Sequence, residues 1–214
     1  TLLIGVDKKK AGGAEQTELR VWEDVDPDTA GPNFDIPWLK VIDASNIKTV
    51  YMQNGIRPVN PMGWFATTAD QNYGNLEEFD GSAANMDAAV SLAGMFQDST
   101  KLKRVSTGMN GWNSMPECTS LANMFKGCTA LEEIVGINRW DVTHVTDFSS
   151  MFDMSRLGQA GGKLGDALIE AVGEWTLGTN IAAGETITMA NMFKDLRNVT
   201  TLAGLANWDT SKVS

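Results

Sequence analysis

The dipeptide Met-Phe occurs four times in this chain, each time at the end of a similar six-residue string that we call a Met-Phe box. The boxes are residues 91–96, 120–125, 147–152 and 188–193, and their methionines lie 29, 27 and 41 residues apart. A tryptophan follows each box, at Trp112, Trp140, Trp175 and Trp208. Self-similarity at a period of a few tens of residues is typical of solenoids, in which each repeat buries its apolar side chains against its neighbours.

Apolar spacing within a repeat predicts its secondary structure. Leu121, Met124, Phe125 and Cys128 follow the i, i+3, i+4, i+7 pattern of one helical face, so each box is predicted to form a short helix. A hydroxyl at 119 or 120 is well placed to cap that helix. The stretch 131–135 (Leu-Glu-Glu-Ile-Val) predicts a strand. One repeat is therefore predicted to be a short helix, a strand and a tryptophan-containing loop.

Two longer motifs bear on the family. The string 124–131 reads Met-Phe-Lys-Gly-Cys-Thr-Ala-Leu, and 140–146 reads Trp-Asp-Val-Thr-His-Val-Thr ahead of the next box. Together they resemble the BspA-type leucine-rich repeat of bacterial surface lipoproteins over about residues 90–214. The first copy departs from the pattern at Trp112-Asn113, and the third carries an insertion. The resemblance implies an α/β, leucine-rich-repeat-like right-handed solenoid with a sheet on one face, usually on proteins that adhere to host or matrix proteins.

The chain divides into three parts. Residues 1–34 do not repeat and are predicted to form an N-terminal β-hairpin cap, with strands at 1–6 and 19–22. Residues 35–89 are predicted to be degenerate repeats, with strand-like stretches at 39–42, 47–50 and 76–79. Residues 90–214 hold the BspA-type repeats, with an insertion at about 156–187 and an incomplete last repeat. Within the insertion, Leu164, Leu168, Val172 and Trp175 can share one helix face. The insertion is either a longer helix packed on its neighbours or a binding loop.

Composition excludes several functions. The net charge of −10 opposes binding to nucleic acid or anionic membrane surfaces. No apolar run reaches the length of about 18 residues that a membrane span needs, so no membrane insertion is predicted. Two cysteines and one histidine are too few for a disulfide framework or metal site, and no cofactor is predicted. Cys118 and Cys128 are interpreted as small buried side chains, with a bridge between them as the alternative.

Catalytic motifs are sparse. His144 is the one histidine, and Lys212 holds its position in the last copy, so it is interpreted as a solvated loop residue. No Ser-His-Asp or Cys-His pair can form without it. Residues 24–35 alternate carboxylates like a calcium loop, but Thr29 replaces the required glycine, so we interpret them as an acidic connector. The sequence therefore predicts no enzyme and no metal site.

Charged pairs occur at equivalent places in the predicted strands. They are Glu77 and Glu78, Lys103 and Arg104, and Glu132 and Glu133, with the neutral pair Thr200-Thr201 in the last repeat. Side by side, they would give a sheet face that alternates acidic, basic, acidic and neutral. Such a face suits a protein or glycan partner of complementary charge, although ordinary solvation of exposed strands explains it equally.

Taken together, these features predict a non-catalytic binding or adhesion module, extracellular or on a bacterial cell surface. The alternative is a structural surface or virion component, such as a decoration or tail-associated subunit. In that alternative the open C-terminal repeat docks onto another chain, because an unfinished repeat exposes its core. Self-association or continuation of the stack is expected at the same end.

Overall fold

The structure, a computed structural model, describes residues 2–4, 17–18, 43–108, 112–155 and 161–214. Six short strands form one parallel sheet in the order β2-β1-β3-β4-β5-β6. Their bounds are β1 Leu2–Ile4, β2 Thr17–Glu18, β3 Thr49–Met52, β4 Glu78–Asp80, β5 Arg104–Ser106 and β6 Glu133–Val135. Short 3₁₀ turns occur at Ala44–Asn46, Ile137–Arg139 and Ala203–Asn207.

Strands β3 to β6 follow one another in sequence and pair in one register. The buried residues Val50, Phe79, Val105 and Ile134 are partners in turn and lie on the core side. The strands predicted near 47–50, 76–79, 103–105 and 131–135 are therefore confirmed, each within two or three residues. A further predicted strand at 39–42 lies outside the described residues.

The N-terminal strands differ from the prediction. Strands β1 and β2 pair parallel, with Leu2 opposite Thr17, and β1 also pairs parallel with β3. A β-hairpin is antiparallel, so the predicted hairpin is wrong for these residues. Twelve residues separate the two strands in sequence. The predicted second strand at 19–22 lies outside the described residues.

The Met-Phe boxes are chains of tight turns, so the predicted helices are wrong. In the box at 91–96, the amides of Met95, Gln97 and Ser99 each donate to the carbonyl three residues earlier. The amides between them leave the box and donate to the next one. These bonds join Leu92 to Ser120, Gly94 to Ala122, Phe96 to Met124 and Asp98 to Lys126, at 2.7–3.0 Å between nitrogen and oxygen. Neighbouring boxes are thus held together by a ladder of backbone bonds.

The residue before each methionine explains why the helix does not form. Gly94, Asn123, Ser150 and Asn191 all have a positive φ, between 55° and 61°. This left-handed conformation interrupts a right-handed helix, and glycine and asparagine adopt it most readily. At that position it completes a turn closed by the methionine amide. Serines and an aspartate start the boxes: Ser91, Ser120 and Asp147 accept from the amide two residues later.

A fifth box, which the sequence reading missed, precedes the four. Residues 61–65 read Pro-Met-Gly-Trp-Phe, and Gly63 has the same positive φ, 67°. The amides of Gly63, Phe65 and Thr67 donate to the box at 91–96 and its continuation. Tryptophan takes the place of methionine here, so the Met-Phe signature does not find the copy. The copy lies within 35–89, the range predicted to hold degenerate repeats.

Two columns of aromatic rings form the core. The phenylalanine stack comprises Phe65, Phe96, Phe125, Phe152 and Phe193, with centroids 5.4–5.9 Å apart. The tryptophan stack comprises Trp112, Trp140, Trp175 and Trp208, with centroids 5.0–6.5 Å apart. Each indole N–H donates to an oxygen of the preceding repeat. The repeated phenylalanines and tryptophans are therefore packing residues.

The predicted insertion contains strand β7 Gly161–Gly165 and helix α1 Asp166–Val172, and β7 pairs with β8 Leu196–Asn198 in a separate sheet. Helix α1 buries Leu168 and Val172, while Leu164 lies in β7 and Trp175 in the tryptophan stack. The helix stands where the neighbouring repeats have a 3₁₀ turn. Gly173, at its end, approaches Gly204 so closely that a Cβ would lie 2.0 Å from the Gly204 oxygen. Strand β7, helix α1 and Trp175 are packed on their neighbours, whereas residues 182–186 of the predicted insertion are exposed.

Candidate binding surface

The charged strand residues lie together on the solvent side of the parallel sheet. The pairing places Glu78 opposite Arg104 and Arg104 opposite Glu133. Because successive strand residues point to opposite faces, the residue after each of these points into the core and the charged one points outward. Glu77, Lys103 and Glu132, one residue earlier, are solvent-accessible as well, so all six residues predicted to form a binding face are brought to the solvent side of the sheet. Thr200 and Thr201 are not, because β8 ends at Asn198 and their amides donate to Asp166.

One residue before each of strands β3 to β6, a row of alternating charge runs across the parallel sheet, and Lys163 of β7 continues it. Its members, which we call the charge row, are Lys48, Glu77, Lys103, Glu132 and Lys163. Backbone bonds join the first four in sequence, from each amide to the preceding carbonyl. Lys103 pairs with Glu77 at 2.7 Å between Nζ and Oε2, and Lys163 pairs with Glu132. The sequence reading did not include Lys48 and Lys163.

Pairing changes the protonation behaviour of the row. The hydrogen bond from Lys103 lowers the pKa of Glu77, and the bond from Lys163 lowers the pKa of Glu132. The same contact with Glu77 raises the pKa of Lys103. All these groups are solvent-exposed, and exposed pairs stabilise a fold little. Glu77, Lys103 and Glu132 therefore stay charged across neutral pH and remain accessible to a partner.

The second row continues the alternation at the strand starts. Arg104 lies 3.1 Å from Glu133 between Nη1 and Oε2, and the two side chains are 52% and 55% exposed. Beyond the buried core position comes a third, less charged row of Tyr51, Asp80, Ser106 and Val135. Tyr51 is 39% exposed. The face therefore combines a charged band with a narrower mixed band, and we call the three rows the sheet face.

The aspartates of the repeated Trp-Asp loops accept hydrogen bonds that stabilise these loops. Asp141 accepts hydrogen bonds from the amide and hydroxyl of Thr143, and from the amide of Met115 in the preceding repeat. Asp209 accepts from the amide of Ser211 in the same way. Burial alone would raise the pKa of Asp141, but these bonds outweigh it and the pKa is lowered. His144 lies beside them, with Nδ1 3.2 Å from the Thr143 hydroxyl.

Both cysteines are buried free thiols, so the alternative of a bridge is not what the structure has. The Cys128 thiol lies 3.0 Å from the Phe96 carbonyl oxygen. Ser99, at the equivalent place in the preceding box, donates to the Phe65 carbonyl at 2.7 Å. Burial raises the pKa of Cys118 to about 11 and raises that of Cys128 further. Neither thiol is activated as a nucleophile, because the reactive thiolate is suppressed.

The C-terminal repeat is less covered than the others. Phe193 and Trp208 are half-buried, whereas Phe125 and Trp140 are buried. Leu202 is 60% exposed, the most exposed of the large apolar side chains in the described residues. Val213 still pairs with Ile187, so the last seven residues follow the path of the preceding repeat.

Metal binding and membrane insertion can be assessed for part of the chain. Within residues 43–108, 112–155 and 161–214, with the two short N-terminal strands, no three His, Cys, Asp or Glu side chains are grouped to hold a metal ion. The acidic stretch 24–35 lies outside that part. No helix among the described residues is long and apolar enough to cross a membrane.

Comparison with known proteins gives one match. Residues 63–160 are similar to the family described as "Mycoplasma protein of unknown function, DUF285", which is related to BspA-like repeat proteins. The match covers slightly under half of the chain and begins in the fifth box. No curated protein matches the chain. No solved structure matches it either.

Proposed function

We propose that this chain is a non-catalytic binding module with a BspA-type, leucine-rich-repeat-like solenoid as its scaffold. The observation that carries the proposal is the exposed sheet face, where three side-chain rows run across strands in a single register. The box-to-box ladder and the two aromatic stacks support the solenoid. They tie every repeat to the next at fixed spacing, so the spacing of the surface charges is fixed too.

The ligand that this face suits is a protein, or a glycan, with a complementary charge pattern. Acidic and basic groups alternate over short distances, so the face has no large field of one sign that would attract a polyanion. Alternating charges give specificity and register, because a displaced partner meets like charges. Exposed Tyr51 adds an aromatic contact of the kind that interfaces favour.

The proposed location is extracellular or on the surface of a bacterial cell. Support comes from the resemblance to repeats of surface lipoproteins and from the Mycoplasma family that residues 63–160 resemble. A virion surface is the alternative location. The buried thiols fit either, since they need neither a reducing compartment nor a disulfide to be stable.

A pair swap tests the sheet face. Glu77→Lys with Lys103→Glu keeps the ion pair and the net charge but reverses the order of charges. Arg57→Asp with Asp87→Arg is the matched control, because it reverses an exposed pair outside the strands, 2.5 Å between Nε and Oδ1. The probes are immobilised extracellular-matrix proteins and an array of host glycans, read by biolayer interferometry.

We expect the parent chain to be captured by a subset of these probes, the Glu77/Lys103 swap to lose at least about tenfold in affinity, and the control swap to lose little. Equal binding by the parent chain and the Glu77/Lys103 swap would remove the sheet face as the binding site. Capture by none of the probes would count against an adhesion module.

A second candidate is a structural component whose C-terminal end docks onto another chain. The half-buried Phe193 and Trp208 and the exposed Leu202 favour it. The phenylalanines of the four preceding boxes and the tryptophans of the three preceding repeats are buried, so these positions are less covered in the last repeat of the described residues.

A further inference from the structure

The charges on the sheet face repeat with a period of two strands. From β3 to β6 the charge row reads basic, acidic, basic, acidic, and its members there are Lys48, Glu77, Lys103 and Glu132. The second row has the same signs on β4, β5 and β6, at Glu78, Arg104 and Glu133. Neighbouring strands lie about 4.8 Å apart, so the sign of the charge changes at that interval across the sheet.

A partner that pairs with every charge needs opposite charges at the same interval. Side chains on one face of an extended peptide recur about every 6.7 Å, so a peptide laid across the strands loses register within a few strands. Side chains along one side of a helix recur at alternating intervals of about 4.5 and 6.0 Å, which is closer but not equal. A second parallel sheet has the same interval as the first. The sheet face of another copy of this chain therefore matches the spacing.

A two-fold axis parallel to the strands brings opposite charges of two copies together. Such an axis reverses the order of the strands in the second copy and keeps their direction, so each row faces its own equivalent. With the axis midway between β4 and β5, β4 faces β5 of the second copy and β3 faces β6. The facing charged pairs are Glu77 with Lys103, Glu78 with Arg104, and Lys48 with Glu132. Each pair occurs twice, because the contact uses the same patch on both copies.

The third row is complementary in the same arrangement. The axis places Tyr51 opposite Val135 and Asp80 opposite Ser106. Tyr51 is exposed and Val135 is half-buried, so the two side chains can make an apolar contact. The Ser106 hydroxyl can donate a hydrogen bond to the Asp80 carboxylate. Across strands β3 to β6, which the structure describes in full, this axis brings no like charges face to face.

Other two-fold arrangements of the same face are less favourable. An axis in the plane of the sheet but perpendicular to the strands puts each strand opposite itself, acidic on acidic and basic on basic. An axis along β5 puts β4 opposite β6, and both strands are acidic there. Such opposition of like charges suppresses wrong arrangements. Axes between other neighbouring strands keep opposite charges together but engage fewer of the four strands, so the charge order favours one register.

The balance of charge also favours contact at this face. The chain carries a net charge of −10, which opposes the approach of two copies. The two charged rows, with Lys163, hold four acidic and four basic side chains and so have no net charge. The ion pairs within one copy leave these side chains available. Those of the Lys103–Glu77 and Arg104–Glu133 pairs are still 36–55% exposed.

We propose that the sheet face binds the sheet face of a second copy about the axis between β4 and β5, so that the module is homophilic. The inference rests on the proposed binding module and names its protein partner. Exposed ion pairs each contribute little and the face is small, so we expect a weak contact with a Kd on the order of 100 µM. Many copies displayed on one surface would bind more tightly, because linked weak contacts raise the effective concentration.

Complementation between two charge variants tests the axis. Glu77→Lys with Glu78→Lys makes β4 basic, and Lys103→Glu with Arg104→Glu makes β5 acidic. In either variant alone, β4 and β5 of facing copies carry the same sign, and we expect at least about tenfold weaker self-association. In an equal mixture, both contacts regain opposite signs, and we expect a Kd within about threefold of that of the parent chain. Sedimentation equilibrium of the 214-residue chains from about 10 µM to 1 mM measures this, with a dye on one variant.

Two further variants serve as controls. Arg57→Asp with Asp87→Arg reverses an exposed pair outside the strands and should leave self-association unchanged. Glu77→Lys with Lys103→Glu keeps opposite signs face to face when it meets itself but not when it meets the parent chain. It should therefore self-associate like the parent chain and pair with it at least about tenfold more weakly. Circular dichroism on heating checks that each variant is folded.

Three outcomes would overturn the inference. The first is a parent chain that stays monomeric at 1 mM, and the second is a mixture of the β4 and β5 variants that associates no better than either alone. The third is self-association that Phe193→Ala abolishes and the two charge variants leave intact, which would place the contact at the C-terminal end. Capture of a monomeric parent chain by matrix or glycan probes would remove the homophilic contact and leave the binding module standing, so the two failures are distinguishable.

Discussion

The middle and the end of the stack use the same motif with different results. Phe125 lies between Phe96 and Phe152, with ring centroids at 5.4 and 5.7 Å, and is buried. Phe193 occupies the same place in its box but has one phenylalanine neighbour, Phe152, and is half-buried. The backbone of the two boxes is nevertheless alike, with Asn123 at φ 57° and Asn191 at φ 59°. The motif therefore determines local conformation, whereas burial is determined by the repeats on either side.

Replacing a stacked phenylalanine by alanine should give the largest difference in stability loss between the middle and the end of the stack. Phe125→Ala leaves a cavity between two rings, and we expect a loss of about 3–5 kcal/mol in the free energy of unfolding. Phe193→Ala should lose less than half of that, because water already reaches one side of the ring. Urea denaturation followed by fluorescence measures both, with Phe125→Leu as a control that retains most of the volume. Equal losses would mean that the last box is as well packed as the middle one.

One contact in the C-terminal region is tight, so the contrast in packing between the middle and the end of the stack does not hold everywhere. A Cβ on Gly173 would lie 2.0 Å from the Gly204 carbonyl oxygen, closer than helix α1 and the turn at Ala203–Asn207 can accommodate without moving apart. We expect Gly173→Ala to cost about 3 kcal/mol through overpacking alone, since φ at Gly173 is −62°. Gly74→Ala is the matched control, because its Cβ would meet only the end of the Asn72 side chain. An unchanged urea midpoint for Gly173→Ala would show that α1 is loosely docked.

Substituting the left-handed residue should cost the same stability in the middle and at the end of the stack. Replacing Asn123 or Asn191 by alanine places a β-carbon in the left-handed conformation, at an expected cost of about 1–2 kcal/mol in each case. Glycine at either position should leave stability within about 0.5 kcal/mol of the parent, because it adopts that conformation freely. Thermal and urea unfolding of the four variants test this. A much smaller alanine effect at Asn191 would mean that the last box is only partly formed.

The left-handed residue before each methionine also shows where sequence reasoning failed. A helix face has the spacing of Leu121, Met124, Phe125 and Cys128. A chain of tight turns, however, buries side chains at the same spacing. Periodicity alone cannot separate the two. The distinguishing signal was glycine, asparagine or serine before every methionine, since the left-handed region admits glycine and asparagine most easily. Reading that column of the repeat would have replaced the helix by turns.

Other parts of the fold were predictable because they are local. Strands β5 and β6 follow from apolar residues at the same distances after the boxes at 91–96 and 120–125, and β4 follows from the likeness of 76–79 to 131–134. The burial of the aromatic residues follows from their repetition. The charged residues of the sheet face were also found. Their pairing was not, because it depends on register between strands and on Lys48 and Lys163, which lie outside the recognised copies. The parallel pairing of β1 with β2 depends on contacts far apart in sequence.

The smallest expected difference concerns the Trp-Asp loops and their dependence on pH. Asp141 is bonded to Thr143 and to Met115 of the preceding repeat, whereas Asp209 accepts from Ser211 in its own loop. We expect Asp141→Asn to cost about 1 kcal/mol at pH 7, at the low end for a charged bond because solvent screens the group. Asp209→Asn should cost less.

The sign of the pH dependence follows from the lowered pKa of Asp141 in the folded chain. Its contribution is present above the ordinary aspartate pKa of about 4 and is lost as pH falls through the lower folded value. The stability gap between the parent chain and Asp141→Asn should therefore be widest near neutral pH and narrow as the pH falls below about 4. Urea denaturation over this pH range measures the gap. A gap that stays constant with pH would assign the role of Asp141 to its shape and neutral hydrogen bonding, and would remove this electrostatic difference between the middle and the end of the stack.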